Sequence, residues 1–145
     1  FALNQMSILS EGISQTFGLI NIAGLFIGGF SILVGGFGIA NIMFVSVKER
    51  TKIIGIKMSL GAKRLFILSE FLIESILLCM IGGAIGLGLV YLLFTLANQL
   101  IDFTLLLSAK NIILGFGISF GIGVLSGIFP ASAASKMDPV EAMRK

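Results

Sequence analysis

Three stretches of this chain carry no charge. No Asp, Glu, Lys or Arg occurs between Glu11 and Lys48, between Glu74 and Asp102, or between Lys110 and Lys136. Each gap exceeds the roughly 20 residues that cross a ~30 Å hydrocarbon layer as a helix rising ~1.5 Å per residue. The pattern predicts three spans, over about 18–47, 67–98 and 111–134. The first is longer than a bilayer needs, since a helix over 18–47 reaches roughly 45 Å. Its first turns are expected to project as a stalk ending in residues 1–17, with Gln15 and Asn21 near the outer surface. The fold class is all-α, a polytopic transmembrane helix bundle.

The polar segments orient it. The connection VKERTKIIGIKMSLGAKR, inside a loop over 48–66, carries Lys48, Arg50, Lys52, Lys57, Lys63 and Arg64 against Glu49 alone. The next connection holds only Asp102 and Lys110, and the tail over 135–145 is basic again through Lys136, Arg144 and Lys145. Lys and Arg accumulate on the cytoplasmic side, so loop and tail are expected inside, the N-terminus and the second connection outside. An outside N-terminus must be carried across by something upstream. The opening FALNQMSILSEG has no initiator Met, basic region or cleavage site. The chain is therefore expected to be the C-terminal part of a longer protein, preceded by a further span and an outside domain.

Small residues punctuate every span. Gly24, Gly28, Gly36 and Ala40 fall at multiples of four in the first, Gly82 and Gly86 in the second, and Gly115, Ser119, Gly123 and Gly127 in the third. Such spacing lets helix backbones approach closely in lipid. These faces are expected to be helix contacts, within the chain or in a dimer.

Read as a helix, the first loop places Glu49, Ile53, Ile56 and Leu60 on one face, with Lys48, Lys52 and Ser59 beside it. Ile54, Ile56, Met58 and Leu60 also alternate as in a strand, but a lone strand has no partner for its backbone groups. The helix is preferred, with Gly61 as its stop before Ala62. An isoleucine face on a short cytoplasmic helix suits docking into a protein groove; lying on anionic lipid is the alternative. Lys63, Ile67, Glu70 and Glu74 share a face of the next helix, which puts two acids at the membrane edge. They read either as interface anchors paired with Lys63 or Arg64, or as the acid pair of a proton- or ion-coupled carrier. In the tail, Asp138 is expected to cap a short helix with Pro139 first, Glu141 third, and Val140 and Met143 inward. Pro130 sits in the last turns of the third span.

Composition narrows the function. Of 145 residues 57% are hydrophobic and 12% charged, more apolar surface than a soluble domain of this size can hide. With no histidine, the commonest general base and metal ligand is missing. The single cysteine, Cys79, is expected to pack as a small apolar side chain. The net charge of +3 comes from residues beside the spans, where topology accounts for it and a nucleic-acid partner is not needed. No G-x-x-x-x-G-K-[ST] sequence occurs, so ATP binding and catalysis are not expected of this chain. No metal site is expected either.

The stretch GGFGIANIMFVSVKERTKIIGIKMSLGAKR, followed by FLIESILLCMIGGAIGLGLVY and GIFPASAASKMDPVEAMRK, resembles the macrolide-exporter (MacB-like) ABC permeases of the FtsX superfamily over nearly its whole length. The resemblance implies four spans per subunit, a large extracytoplasmic domain after the first, and a dimer with a second permease copy in the bacterial inner membrane. It also implies an ABC ATPase domain or subunit, carrying ATP and Mg, that grips the first loop, and an extracytoplasmic adaptor as a further partner. Motion of the stalk and outside domain would replace passage of substrate between the spans. FtsX-like and LolC-like chains of cell division and lipoprotein release share this fold but resemble the loop less. On this reading Ile53, Ile56 and Leu60 are anchors in the ATPase, Glu49 and Arg50 are polar contacts, Gly55 is a point of close approach and Gly61 ends the coupling helix. A carrier using Glu70 and Glu74, or a passive membrane anchor, would make no use of that face.

The orientation has a direct test. Single cysteines from Ser59→Cys and Thr104→Cys, each in a Cys79→Ser background, are expected to react with impermeant thiol reagents from opposite sides of the membrane. Labelling of both from one side overturns the topology.

Overall fold

The computed structural model of the chain describes residues 1–102 and 106–144; Thr104 and Lys145 lie outside the described residues. Five helices follow one another: α1 (Ala2–Glu49), α2 (Thr51–Ser59), α3 (Arg64–Leu100), α4 (Ala109–Ser135) and α5 (Pro139–Arg144). No strand occurs among the described residues. In hydrocarbon the backbone must satisfy its own hydrogen bonds, and a helix does so within one segment. α1, α3 and α4 are long and apolar enough to cross a membrane. The protein is an all-α transmembrane bundle.

The helices overrun the expected spans, and at one end the cause is local capping. α4 starts at Ala109, where the Ser108 side chain accepts the Asn111 amide at 3.3 Å. α3 starts at Arg64, three residues before its expected span, and runs to Leu100.

Residues Phe1–Gly35 form one compact unit and the chain from Gly36 onward another. The first is uninterrupted helix in which every residue except Gly28 is exposed. Over 18–35 exposed Leu, Ile, Val and Phe side chains on all its sides are what a lipid-facing helix carries.

In the second unit, α3 and α4 form an antiparallel pair with contacts every four residues. Gly115 faces Leu87, Ser119 faces Gly83, Gly123 faces Cys79 and the backbone of Ile76, and Gly127 faces Ser75. A methyl group on Gly123 would lie 2.8 Å from Ile76 Cα and 3.2 Å from Cys79 Cβ; one on Gly127 would lie 2.7 Å from Ser75 Cβ. Ser75 Oγ adds a buried hydrogen bond across the pair to the Gly123 carbonyl at 2.9 Å, while lying 2.8 Å from the Leu72 carbonyl of its own helix. The whole α4 stripe of Gly115, Ser119, Gly123 and Gly127 thus faces α3. On α3 the matching positions are Ser75, Cys79, Gly83 and Leu87. Gly82 and Gly86 have open space where a side chain would stand, as do Gly24 and Gly28 in the first unit. Gly36 approaches Ser126 Oγ at 3.1 Å and Ile122 at 3.6 Å, seating this part of α1 on α4. Ile39, Ala40, Met43 and Val47 continue that face, each at least half-buried.

The core lies at the end of the bundle where α1 stops. Met43, Val47, Ile54, Ile67, Phe71, Ala131 and Ala134 are buried together, with Met58, Leu72 and Met137 packed against them. Pro130 is buried within α4 beside this cluster.

Close packing at Gly123 sets up a contrast of substitutions. Gly123→Leu is expected to destabilise the bundle by about 1–3 kcal/mol, because the backbone of Ile76 cannot step aside as a flexible side chain would. Gly121→Ala, with open space at its Cβ, is expected to be neutral or to gain up to about 1 kcal/mol of helix propensity. Thermal melting followed by a thiol-reactive dye at buried Cys79 reads both.

Candidate functional site

α1 ends at Glu49, and Arg50 turns the chain into α2. Thr51 Oγ1 donates to the carbonyl of Lys48 at 2.7 Å and lies 3.1 Å from that of Val47, which holds the last turn of α1 against the start of α2. α2 is helical over the segment for which a strand was the alternative. At its far end the Gly61 amide bonds the Met58 carbonyl at 3.1 Å and the Ala62 amide bonds that of Lys57 at 3.0 Å. These are the two bonds of a Schellman stop, and they require the left-handed φ of +100° that Gly61 adopts.

One side of α2 faces the protein. Ile54 is 2% exposed and Met58 packs on the core. Gly55 is buried against α5: a methyl there would lie 2.9 Å from Ala142 Cβ and 3.2 Å from the Pro139 carbonyl. Gly55 is therefore a point of close approach to the chain's own tail helix. α5 starts where expected, with Asp138 Oδ1 accepting the Val140 amide at 3.1 Å. Its inward residue, however, is Ala142; Val140 points outward, and Met143 is half-exposed beside Gly55 and Ser59. Only a side chain as small as alanine's fits over a glycine at this spacing.

Two ion pairs join α2 to α3. Lys57 Nζ sits 2.7 and 2.9 Å from the two carboxylate oxygens of Glu70, and Arg50 Nη1 sits 3.3 Å from Glu74 Oε2. The acids at the membrane edge thus pair with α2 and its leading turn, not with Lys63 or Arg64. Lys63 is the N-cap of α3, from which its side chain starts roughly two and three turns short of the acids. Arg50, expected as a contact to a partner, reaches Glu74 within the chain and stays about half-exposed. All four side chains are a third to a half exposed, so each pair contributes about 0–1 kcal/mol.

The other side of α2 is open. Ile53 and Ile56 are 52% and 50% exposed and Leu60 83%, with Glu49 and Lys52 also exposed beside them. A cleft of about 450 Å³ lies between Lys48, Lys52, Asp138 and Glu141. Among the described residues no three or more His, Cys, Asp or Glu side chains converge as metal ligands would.

The FtsX-like permease C-terminal family matches residues 25–139. The chain belongs to this family. Similar over its length are the macrolide export ATP-binding/permease proteins MacB of Neisseria gonorrhoeae, 40% identical over 144 residues, and of Agrobacterium fabrum, 40% identical over 146. That of Rhodopirellula baltica is 38% identical over 144. These alignments take in 99%, 100% and 99% of the chain and 22%, 22% and 21% of the relatives. The FtsX-like chain therefore spans about a fifth of the length of the curated relatives it matches.

Not expected from the sequence were the pairing of Lys57 with Glu70 and the contacts of Gly83 and Ala142. Gly83 had a signal, since it lies eight residues after Ser75 and four after Cys79, a small-residue stripe like that of α4. Ala142 and Lys57 had none without knowing where α5 docks.

Docking of α5 on Gly55 is testable by proximity. Ser59 Oγ and Met143 Sδ are 4.0 Å apart, so Ser59→Cys and Met143→Cys together, in a Cys79→Ser background, are expected to be joined by a short bis-maleimide in high yield. Adding Gly55→Leu is expected to abolish the cross-link by displacing Ala142. Undiminished cross-linking would show that α5 does not depend on that glycine.

Proposed function

We propose that the chain is the membrane permease block of an ATP-driven export complex, coupling a cytoplasmic ATPase to movements on the far side of the membrane. In this reading α2 and α5 face the cytoplasm, α1 leaves the inner membrane as the base of a stalk ending in residues 1–17, and residues 18–145 form the permease block. A second permease copy completes the assembly, and an extracytoplasmic adaptor extends it. ATP and Mg reside on the ATPase domain or subunit, and no catalysis is assigned to this chain. The names of its MacB relatives, ATP-binding/permease proteins for macrolide export, support a partnership of this kind.

The observation that carries the proposal is the exposed row of Ile53, Ile56 and Leu60 on a helix otherwise fixed to the bundle. Large apolar side chains exposed on a basic segment lose free energy in water and recover it in a partner's groove. In a small interface a few central anchors carry most of the energy. Glu49 sits beside the row and is assigned the orienting contact. Arg50 serves through Glu74, and Gly61 sets where the row ends.

The rival reading as a proton-coupled carrier needs Glu70 and Glu74 to exchange protons, and both are held by basic side chains. Ile56→Asp would bury an unpaired charge in the groove, and is expected to abolish ATPase association at a cost of several kcal/mol. Glu70→Gln and Glu74→Gln are expected to leave association intact. Co-purification of the ATPase with the full-length permease, together with ATP hydrolysis and transport, measures it. Full coupling in Ile56→Asp with loss of transport in Glu74→Gln would sink the proposal in favour of the carrier.

A further inference from the structure

The two ion pairs do not earn their place as stabilisers. α2 is already held by Ile54 and Met58 in the core, by Gly55 against Ala142, and by the stop at Gly61. The pairs are too exposed to add much. Their placement is more telling than their strength. Arg50 immediately precedes α2 and Lys57 lies in its last turn, so the attachments sit roughly 10 Å apart, near its two ends. They meet Glu70 and Glu74, one turn apart on α3. A helix tied at one point can swivel about it. Tied at both ends to successive turns of a second helix, it cannot turn without dragging that helix.

The other neighbours of α2 hold it without joining it to α3 by polar contacts. Its close backbone approach is to α5, a six-residue helix. Its buried side chains Ile54 and Met58 meet the core through apolar contacts, whose attraction has no preferred direction. Directional contacts between α2 and α3 come from Arg50 and Lys57. Glu70 also lies just ahead of Phe71 and Ser75, the latter hydrogen-bonded to Gly123 of α4. A push received at the carboxylates therefore reaches both members of the α3–α4 pair.

We propose that Lys57–Glu70 and Arg50–Glu74 form a two-point strut that transmits displacement of α2 into α3, with Lys57 and Glu70 as positioning residues for coupling. Lys57 flanks the exposed isoleucine face but its ammonium turns to Glu70 on α3. The inference rests on the reading of α2 as the ATPase contact, and its test keeps the two apart.

The experiment uses the full-length permease with its ATPase in proteoliposomes, and compares Lys57→Glu, Glu70→Lys, the double swap, and the neutral pair Lys57→Met and Glu70→Gln. ATPase co-purification and ATP hydrolysis are expected to persist in all of them. Transport per ATP hydrolysed is expected to fall about three- to tenfold in each single reversal and to recover at least half-way in the double swap, as for a directly interacting pair. The neutral variants, which carry no repulsion and keep the fold if a reversal loses it, are expected to show the same uncoupling more weakly. Parental transport per ATP in the neutral variants and single reversals overturns the strut, as does a double swap no better than either single. Ile56→Asp run alongside tells the failures apart. If it still binds the ATPase, the contact itself is elsewhere; if it does not and the swap fails, only the strut is wrong.

Discussion

Helices surrounded by hydrocarbon gain little from hiding apolar surface from one another, since lipid tails are as apolar as leucine. What remains is dispersion between atoms that fit closely, together with the occasional hydrogen bond across the gap. The α3–α4 pair depends on this. Its glycines and serines bring two backbones near enough for Gly123 to face Ile76 Cα, and for Ser75 to bond the Gly123 carbonyl. Larger residues on those faces would hold the helices apart and lose both terms. The side chains turned away, such as Leu77, Ile81, Ile85, Ile113 and Phe129, are exposed in the chain alone and suit a lipid surround.

At the end where α1 stops, the rules of water return. There the buried cluster of Met43, Val47, Ile54, Ile67, Phe71, Ala131 and Ala134 draws together four helices. Turns at Arg50 and Gly61 and a cap at Asp138 make the ends of α2 and α5 abrupt. Salt bridges become affordable at this depth because their charges remain partly solvated. The change of solvent along the bundle thus separates a part that carries apolar helices from a part that carries exposed, recognisable chemistry.

The same change explains how much of the structure was legible in the sequence. Charge-free runs gave the three long helices, since hydrocarbon excludes charge over a length fixed by its thickness. The stop at Gly61 and the cap at Asp138 were readable because each follows from local backbone chemistry. The α4 stripe was readable from spacing, and so in principle was its counterpart Ser75–Cys79–Gly83; Gly82 and Gly86 lie beside that face, with open space within the chain. Side-chain partners were not readable. Glu70 and Glu74 could have met any of several cations, and the choice of Lys57 and Arg50 depends on how sharply the chain turns back at Gly61. The burial of Gly55 and Ala142 and the exposure of Val140 likewise follow from where α5 lands, a matter of tertiary geometry.

The four-residue repeat between α3 and α4 also raises a question of uniqueness. Two ladders of small residues with the same period could mesh in several registers, each offset by one step of about 6 Å along the helices. The ends of the ladder remove that ambiguity. Sliding α4 one step in one direction would bring Leu87 against Ser119 and take Ser75 away from the Gly123 carbonyl; sliding it the other way would bring Phe71 against Gly127, where only a glycine-sized gap exists. The middle of the interface supplies adhesion and tolerates displacement, while a bulky side chain at each end acts as a detent. A pair built in this way can flex by fractions of a step under load and still return to a single alignment.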